Sequence, residues 1–465
     1  MGLKKPGIYD EFEYAGHWWL PENPERKVSG TLIFSKDGIT LELIGTINGK
    51  SNYDEIDEEY VSKFPILYGE CEEGPVTLIN GFEMYKRTGY IITSILKFNK
   101  MIVGKHIDSV ENFKLTNFSL TLTNLESWLK YHPFEWDHTE ETQLYKLRKQ
   151  EIFEVFVEKI QATIKSNYHI TTNGEMYKGV GYEYTPELKV ISEEPKSLDW
   201  FEDIAFSLRN LLSILMDSAV FIESISFEED IYRRIQIYST PFRNYRKETI
   251  ERFQRLNFDL PKIKGFIGEV LNNWFETNVE ASHQNYIKNI FDSRSLILED
   301  TFLNYAKALE SFHRDNTIES GKFVGDEEYT EIVKKMINSI KEEAPADLIS
   351  KLQGTLKYAN EFGFQRRIKE VIRMLPEPLH GLVLAGQKLK DMADQIRNNR
   401  DYYTHFGEKP KDLYSMHQLL FINDRLKVIA LYAFLKELGL PEDEIVEGIL
   451  EDYYLIQTLQ RAEKH

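Results

Sequence analysis

A change of hydrophobic period near Pro261 constrains this chain more than any other feature. Before it, apolar residues come in short runs broken by Gly, Asn and Asp; after it, they recur at spacings of three and four over long stretches. Period two marks half-buried strands and period 3.6 marks amphipathic helices. Two successive units are therefore expected, a β-rich one followed by an all-α one.

In the first, TLIF and ITLELIG flank Lys36-Asp37-Gly38, a good hairpin turn. PVTLIN, GYIITSILKF, MIVGKHI and FKLTNFSLTLT follow at short intervals, as in a twisted antiparallel sheet or sandwich. Trp18 and Trp19 stand just before Pro21, which disfavours a helix there, and are expected in the core or at a sheet edge. Residues 151–164 combine helical spacing with β-branched side chains and stay open between helix and strand. Residues 198–219 predict an amphipathic helix closing the sheet, and VFIESISF and RRIQIYST two more strands. The acidic stretches 53–60 and 69–74 read as surface loops unsuited to nucleic acid. The fold class is thus multi-domain α+β. Residues 1–255 form a β-rich, sandwich-like unit with an internal boundary expected near 140, and residues 262–465 form a helical bundle.

Composition narrows the function. A single cysteine, Cys71, excludes an internal disulfide scaffold and an all-cysteine metal site, and suits a reducing, cytoplasmic setting. No apolar run reaches the roughly 18 residues that a membrane helix needs. The net charge of −18 argues against coating nucleic acid by bulk electrostatics. The local balance differs: residues 365–411 hold ten Lys or Arg against six acids, a window of +4. There is no complete GxGxxG, GxxxxGK[ST] or HExxH motif.

Inside that window lies IRNNRDYYTHF, residues 396–406. An apolar helical run precedes it, and Gly407 and Pro410 follow it, so His405 is expected in the last turn of a helix. Asp401 and His405 are four apart, as are Arg397 and Asp401, so one carboxylate could hold both an arginine and the imidazole. A histidine able to move a proton, beside a guanidinium that grips phosphate bidentately, suits RNA cleavage without a metal. Arg400 and His405 stand about 140° apart around an ideal helix, so reaching one point requires the arginine to curl or the last turn to distort. A plain polar surface on a capped helix is the competing reading. Glu310 and His313, three apart with Arg314 adjacent, form a second polar face that either assists this chemistry or merely faces solvent.

The signature Arg400-Asp401-Tyr402-Tyr403-Thr404-His405 resembles the R-[N/D/H]-x-x-x-H motif of HEPN-domain ribonucleases. Its surroundings, IRNNRDYYTHFGEK, are similar to the form in the ApeA-like HEPN group of bacterial anti-phage proteins. LNYAKALESFHRDN, residues 303–316, resembles an early helix of the same domain, and residues 14–45 resemble the opening of the ApeA amino-terminal domain. In this group asparagine mostly follows the motif arginine, where Asp401 stands here. The resemblance implies a sensor-like amino-terminal domain and a HEPN ribonuclease that needs no cofactor and acts in the cytoplasm without a membrane. Arg400, His405 and Asp401 are the implied catalytic residues, Arg397 and Lys409 hold substrate, and Glu310, His313 or Arg314 assist. It further implies a homodimer or higher homo-oligomer, RNA such as tRNA as substrate, a phage-derived trigger and abortive defence. A non-catalytic dimeric interaction module and a metal-dependent hydrolase built on Glu310 and His313 are the rival readings.

Overall fold

The computed structural model describes residues 5–47, 63–87, 89–131, 133–138, 143–147, 153–175, 179–229, 234–240, 258–276, 297–316 and 321–462. The acidic stretch 53–60 lies outside the described residues. The chain divides into two compact units, Met1–Glu276 and Thr277–His465.

The first unit begins with β1 (Phe12–Trp19), β2 (Val28–Ser35), β3 (Gly38–Ile44), β4 (Lys63–Cys71), β5 (Gly74–Arg87) and β6 (Thr93–Phe98). Their antiparallel pairings run β5-β4-β1-β2-β3-β6 and return to β5, so the six strands close into a barrel. Tyr14, Trp18, Leu32, Phe34, Ile39, Leu41, Leu96 and Phe98 alternate inward and are buried, which is the period-two pattern of the sequence made physical. Gly38 takes a positive φ of 98° right after the Lys36-Asp37 turn.

Next come β7 (Lys100–Val103), β8 (Lys114–Leu122), the separate hairpin of β9 (Phe134–His138) and β10 (Gln143–Leu147), β11 (Glu154–Val157), β12 (Ala162–Glu175), β13 (Gly179–Ser197), β14 (Ile222–Glu228) and β15 (Arg234–Ser239). From β5 the sheet continues outward as β7-β15-β14-β8-β13-β12-β11. The strand β5 belongs to both parts, pairing β7 through Val76–Ile79 and β6 from Phe82 onward. Asn80 sits at the change of partner with a φ of 52°, a left-handed value that asparagine tolerates better than most residues.

A short helix α1 (Leu125–Leu129) and the long α2 (Leu198–Leu215) complete this layer. Ser197 caps α2 by accepting the Trp200 N–H, and Phe201 packs on Phe118 of β8 with ring centres 5.1 Å apart. Helices α3 (Leu260–Ile263) and α4 (Ile267–Glu276) also pack in this unit, Trp274 Nε1 donating to Ser207 Oγ on α2 at 2.8 Å.

One expectation is corrected, and one open reading is decided. Residues 69–74 are not a surface loop: Gly69 and Cys71 pair within β4, and only Glu72-Glu73 form the turn into β5. Of the open stretch 151–164, the described residues 153–164 hold β11, a single 3₁₀ turn at Glu158–Ile160 and the start of β12, because pairing with a neighbouring strand outweighs local spacing.

The regular elements of the second unit's described residues are helices, α5 (Leu298–Asn316), α6 (Asp326–Ile340), α7 (Ala346–Leu356), α8 (Phe364–Arg373), α9 (Glu377–Leu384), α10 (Leu389–His405), α11 (Met416–Glu437), α12 (Glu442–Leu450) and α13 (Tyr453–Ala462), with a single isolated bridge between Lys322 and Glu361. α11 is its central rod, opened by a reciprocal Ser415–Gln418 capping box and buried almost continuously from Val428 to Leu435. α5 packs against α8, α10 and α11. The apolar run around 379–405 is two helices, not one. Ala385 and Gly386 both adopt positive φ, 46° and 77°, and the Ala385 N–H closes α9 on the Gly381 carbonyl.

Gly69 lets the Trp18 ring fill the barrel, since a Cβ at Gly69 would lie 2.1 Å from that ring. Gly69→Ala is expected to lower the unfolding free energy by about 2 kcal/mol through overpacking, read as an earlier urea midpoint for the strand signal.

Candidate active site

Helix α10 carries the motif, and its sequence explains its orientation. Met392, Ala393, Ile396 and Asn399 share one face and are buried, with Tyr403 continuing it against Phe302 of α5 at 6.0 Å. Arg400 lies beside that face and is half-buried; His405, five residues on, is exposed and is the last helical residue. The helix stops through Phe406, in the left-handed region at φ 47°, whose N–H reaches the Tyr402 carbonyl at 2.7 Å. The left-handed residue is thus Phe406, one position before the expected glycine, and backbone strain sits next to the motif histidine.

The guanidinium of Arg400 meets three groups. Nη1 donates to Asp401 Oδ1 at 2.9 Å, Nη2 donates to Glu310 Oε2 on α5 at 3.1 Å, and the plane lies 4.9 Å from the Phe364 ring at the start of α8. Asp401 therefore serves Arg400. Among the described residues the His405 side chain makes no hydrogen bond or ion pair, and Arg397 pairs with Asp394 at 3.4 Å and donates to Asn398. The expected Arg397–Asp401–His405 chain does not form, because the neighbouring guanidinium takes that carboxylate first. Lys409 is exposed in the segment that follows the helix.

The family model described as ApeA N-terminal domain 1 matches residues 13–274, more than half of the chain, and the model described as Apea-like HEPN matches residues 303–444. The chain belongs to the ApeA-like family. Its β-rich unit carries the ApeA domain, and its helical unit, from α5 to the start of α12, carries the HEPN domain. No curated protein and no solved structure matches the ApeA-like chain.

Around the motif of this HEPN domain the polar residues of α5 are drawn in. Glu310 also accepts from Arg314 Nη2 at 3.1 Å. Arg314 and Arg367 both approach Glu361, at 3.8 and 3.5 Å. Buried His313 receives Arg367 Nη1 at Nδ1 (3.3 Å) and faces Glu370 Oε2 through Nε2 (2.6 Å). A nitrogen that accepts from an arginine carries no proton, so these contacts assign His313 as the Nε2–H tautomer, donating to Glu370. Held on both nitrogens inside the bundle, His313 is a structural link and not a group open to substrate.

Sequence reasoning missed Asn399 and Phe364. Asn399 is fully buried; its Nδ2 donates to the carbonyls of Gln395 (2.9 Å) and Asp412 (3.0 Å), and its Oδ1 accepts the Tyr414 N–H at 2.7 Å. With Asn398, which donates to the Asp412 carboxylate at 3.2 Å, it folds the segment after His405 back along α10. The paired asparagines before Arg400 were visible as a polar interruption on the apolar face, which is the signal to look for. Phe364 had none, since its contact with Arg400 depends on how α8 crosses α10.

Two outcomes follow. Asn399→Ala strands the buried Tyr414 N–H, while the Asp412 carbonyl keeps the Gln395 Nε2 donor at 3.2 Å, and is expected to cost about 2 kcal/mol of unfolding free energy, measured by denaturant titration. Burial pushes the Glu370 carboxyl up, but hydrogen bonds from Arg366 and His313 outweigh this and hold it below the usual carboxylate range. A lowered folded pKa gives stability that is present above the unfolded pKa and is lost as pH falls through the folded one. Thermal melts taken downward from about pH 5 should show an acid loss in the native chain that is smaller in Glu370→Gln.

Proposed function

We propose that this ApeA-like protein is a metal-independent endoribonuclease acting in anti-phage defence. The observation that carries the reading is Arg400 and His405 at the end of one regular helix, inside the region matched by the Apea-like HEPN model, with the imidazole exposed. His405 takes the ribose 2′-hydroxyl proton, the 2′-oxygen attacks the adjacent phosphorus, and the bond to the 5′-oxygen breaks as that oxygen takes a proton from water, His405 then returning its proton to the solvent. Arg400 carries the charge that develops on the phosphorane oxygens, and Asp401 holds the guanidinium planar to it. The products are a 2′,3′-cyclic phosphate and a 5′-hydroxyl. Arg397 and Lys409 add backbone contacts on the solvent side.

Arg400 turns toward α5 and α8 while His405 faces solvent, so a site using both is completed by a second copy of the chain. This supports a homodimer or higher homo-oligomer in the cytoplasm. No helix among the described residues is long and apolar enough to cross a membrane. The substrate is tRNA or other host RNA whose single-stranded loop exposes the 2′-hydroxyl. The amino-terminal domain is the receptor for a phage-derived trigger; it holds a concavity of about 960 Å³ lined in part by Lys63, Asp108, Lys114 and Asp199. A second reading, a non-catalytic dimeric module, draws on the two carboxylates that already engage Arg400.

Purified full-length protein is expected to cleave total tRNA in EDTA, alone or with extract from phage-infected cells, leaving cyclic phosphate ends. His405→Ala and Arg400→Ala should each lose about a hundredfold or more of that rate. Intact RNA under both conditions would favour the non-catalytic module.

A further inference from the structure

The carboxylate of Glu310 is shared between two guanidiniums on different oxygens, Oε2 with Arg400 and Oε1 with Arg314, each at 3.1 Å. Each contact is a single hydrogen bond of ordinary length and not a bidentate pair. A phosphodiester offers the same pattern, two charged oxygens on one atom. Arg314 is half-exposed and Glu310 is not fully enclosed, which leaves the carboxylate a way out to water. Around them the charges balance: Arg400, Arg314 and Arg367 stand against Glu310, Asp401 and Glu361. Removing Glu310 from that set leaves a net positive cradle.

Resting on the ribonuclease reading above, we propose that Glu310 occupies the phosphate subsite of the resting enzyme and that Arg314 is the second guanidinium of that subsite. RNA enters by exchanging its phosphodiester for the Glu310 carboxylate, which swings toward solvent while Arg400 keeps Asp401 as its partner. Arg314, one turn further along α5, then holds the second non-bridging oxygen or the next phosphate. The arrangement also sets the resting state: a single carboxylate keeps both arginines from capturing phosphate weakly.

The test uses full-length protein and a 2′-O-methyl single-stranded oligoribonucleotide, which binds but has no free hydroxyl to attack. Affinity is measured by fluorescence anisotropy over a salt series, beside the rate at which phenylglyoxal modifies Arg400, read by peptide mass spectrometry. Glu310→Gln is expected to tighten binding by about tenfold and to speed modification of Arg400. Adding Arg314→Ala should remove that gain and reduce the salt slope by about 0.7, one phosphate contact on a single strand. Glu310→Asp, which keeps the charge on a shorter arm, should fall between the native chain and Glu310→Gln on both readouts. Affinity and modification that stay unchanged or fall in a folded Glu310→Gln protein would overturn the proposal and make Glu310 a mere support for Arg400. Tighter binding with ordinary tRNA left intact both alone and with extract from phage-infected cells would leave the subsite standing and remove the ribonuclease reading. Cleavage with unchanged binding would do the reverse.

Discussion

A guanidinium taken half out of water has to be met by opposite charge, and the helical unit is organised around that requirement. Arg400 is drawn to Glu310 and Asp401, Glu310 to Arg314, Arg314 and Arg367 to Glu361, and Arg367 through His313 to Glu370 and Arg366. The chain of contacts ties α5, α8 and α10 together along their polar seam while Phe302, Phe312, Ile368, Val371 and Ile396 fill the apolar side. Most of these charges have two partners, so breaking one link weakens the network without leaving them bare. The motif arginine is therefore held by the bundle as a whole, not by its own helix alone.

The same organisation explains why His405 and Arg400 behave so differently although they sit five residues apart. Arg400 falls beside the buried face and inherits the network. His405 falls past the last buried turn, where the helix ends on a strained Phe406 and the chain is folded back by Asn398 and Asn399. One residue is held by charge and the other is positioned only by backbone, which suits the role of base proposed for it.

Much of this was legible in the amino-acid sequence. Strand runs, the Lys36-Asp37-Gly38 turn and the α2 helix read directly from period and turn chemistry, and the end of α10 from its flanking residues. What did not read was set by partners distant in the chain. Gly69 belongs to a strand because Trp18 needs its missing side chain, and a six-residue window cannot show that. Asp401 serves Arg400 and not His405, because competition between a guanidinium and an imidazole for one carboxylate is decided by geometry that spacing leaves open. Closure of the barrel depends on β5 meeting β6 after it has already met β7, a pairing with no local signal.

That double allegiance of β5 has a mechanical meaning. A strand shared by two hydrogen-bonded surfaces couples their registers: sliding β5 by one residue would turn its own side chains to the wrong face in the barrel wall and in the adjoining sheet together. Asn80 and Gly81, at the changeover, bend the strand without breaking it. Barrel and sheet of the amino-terminal domain are therefore coupled through this one strand. Any distortion imposed on one wall is felt along the whole ladder, as torque is felt along a single shaft.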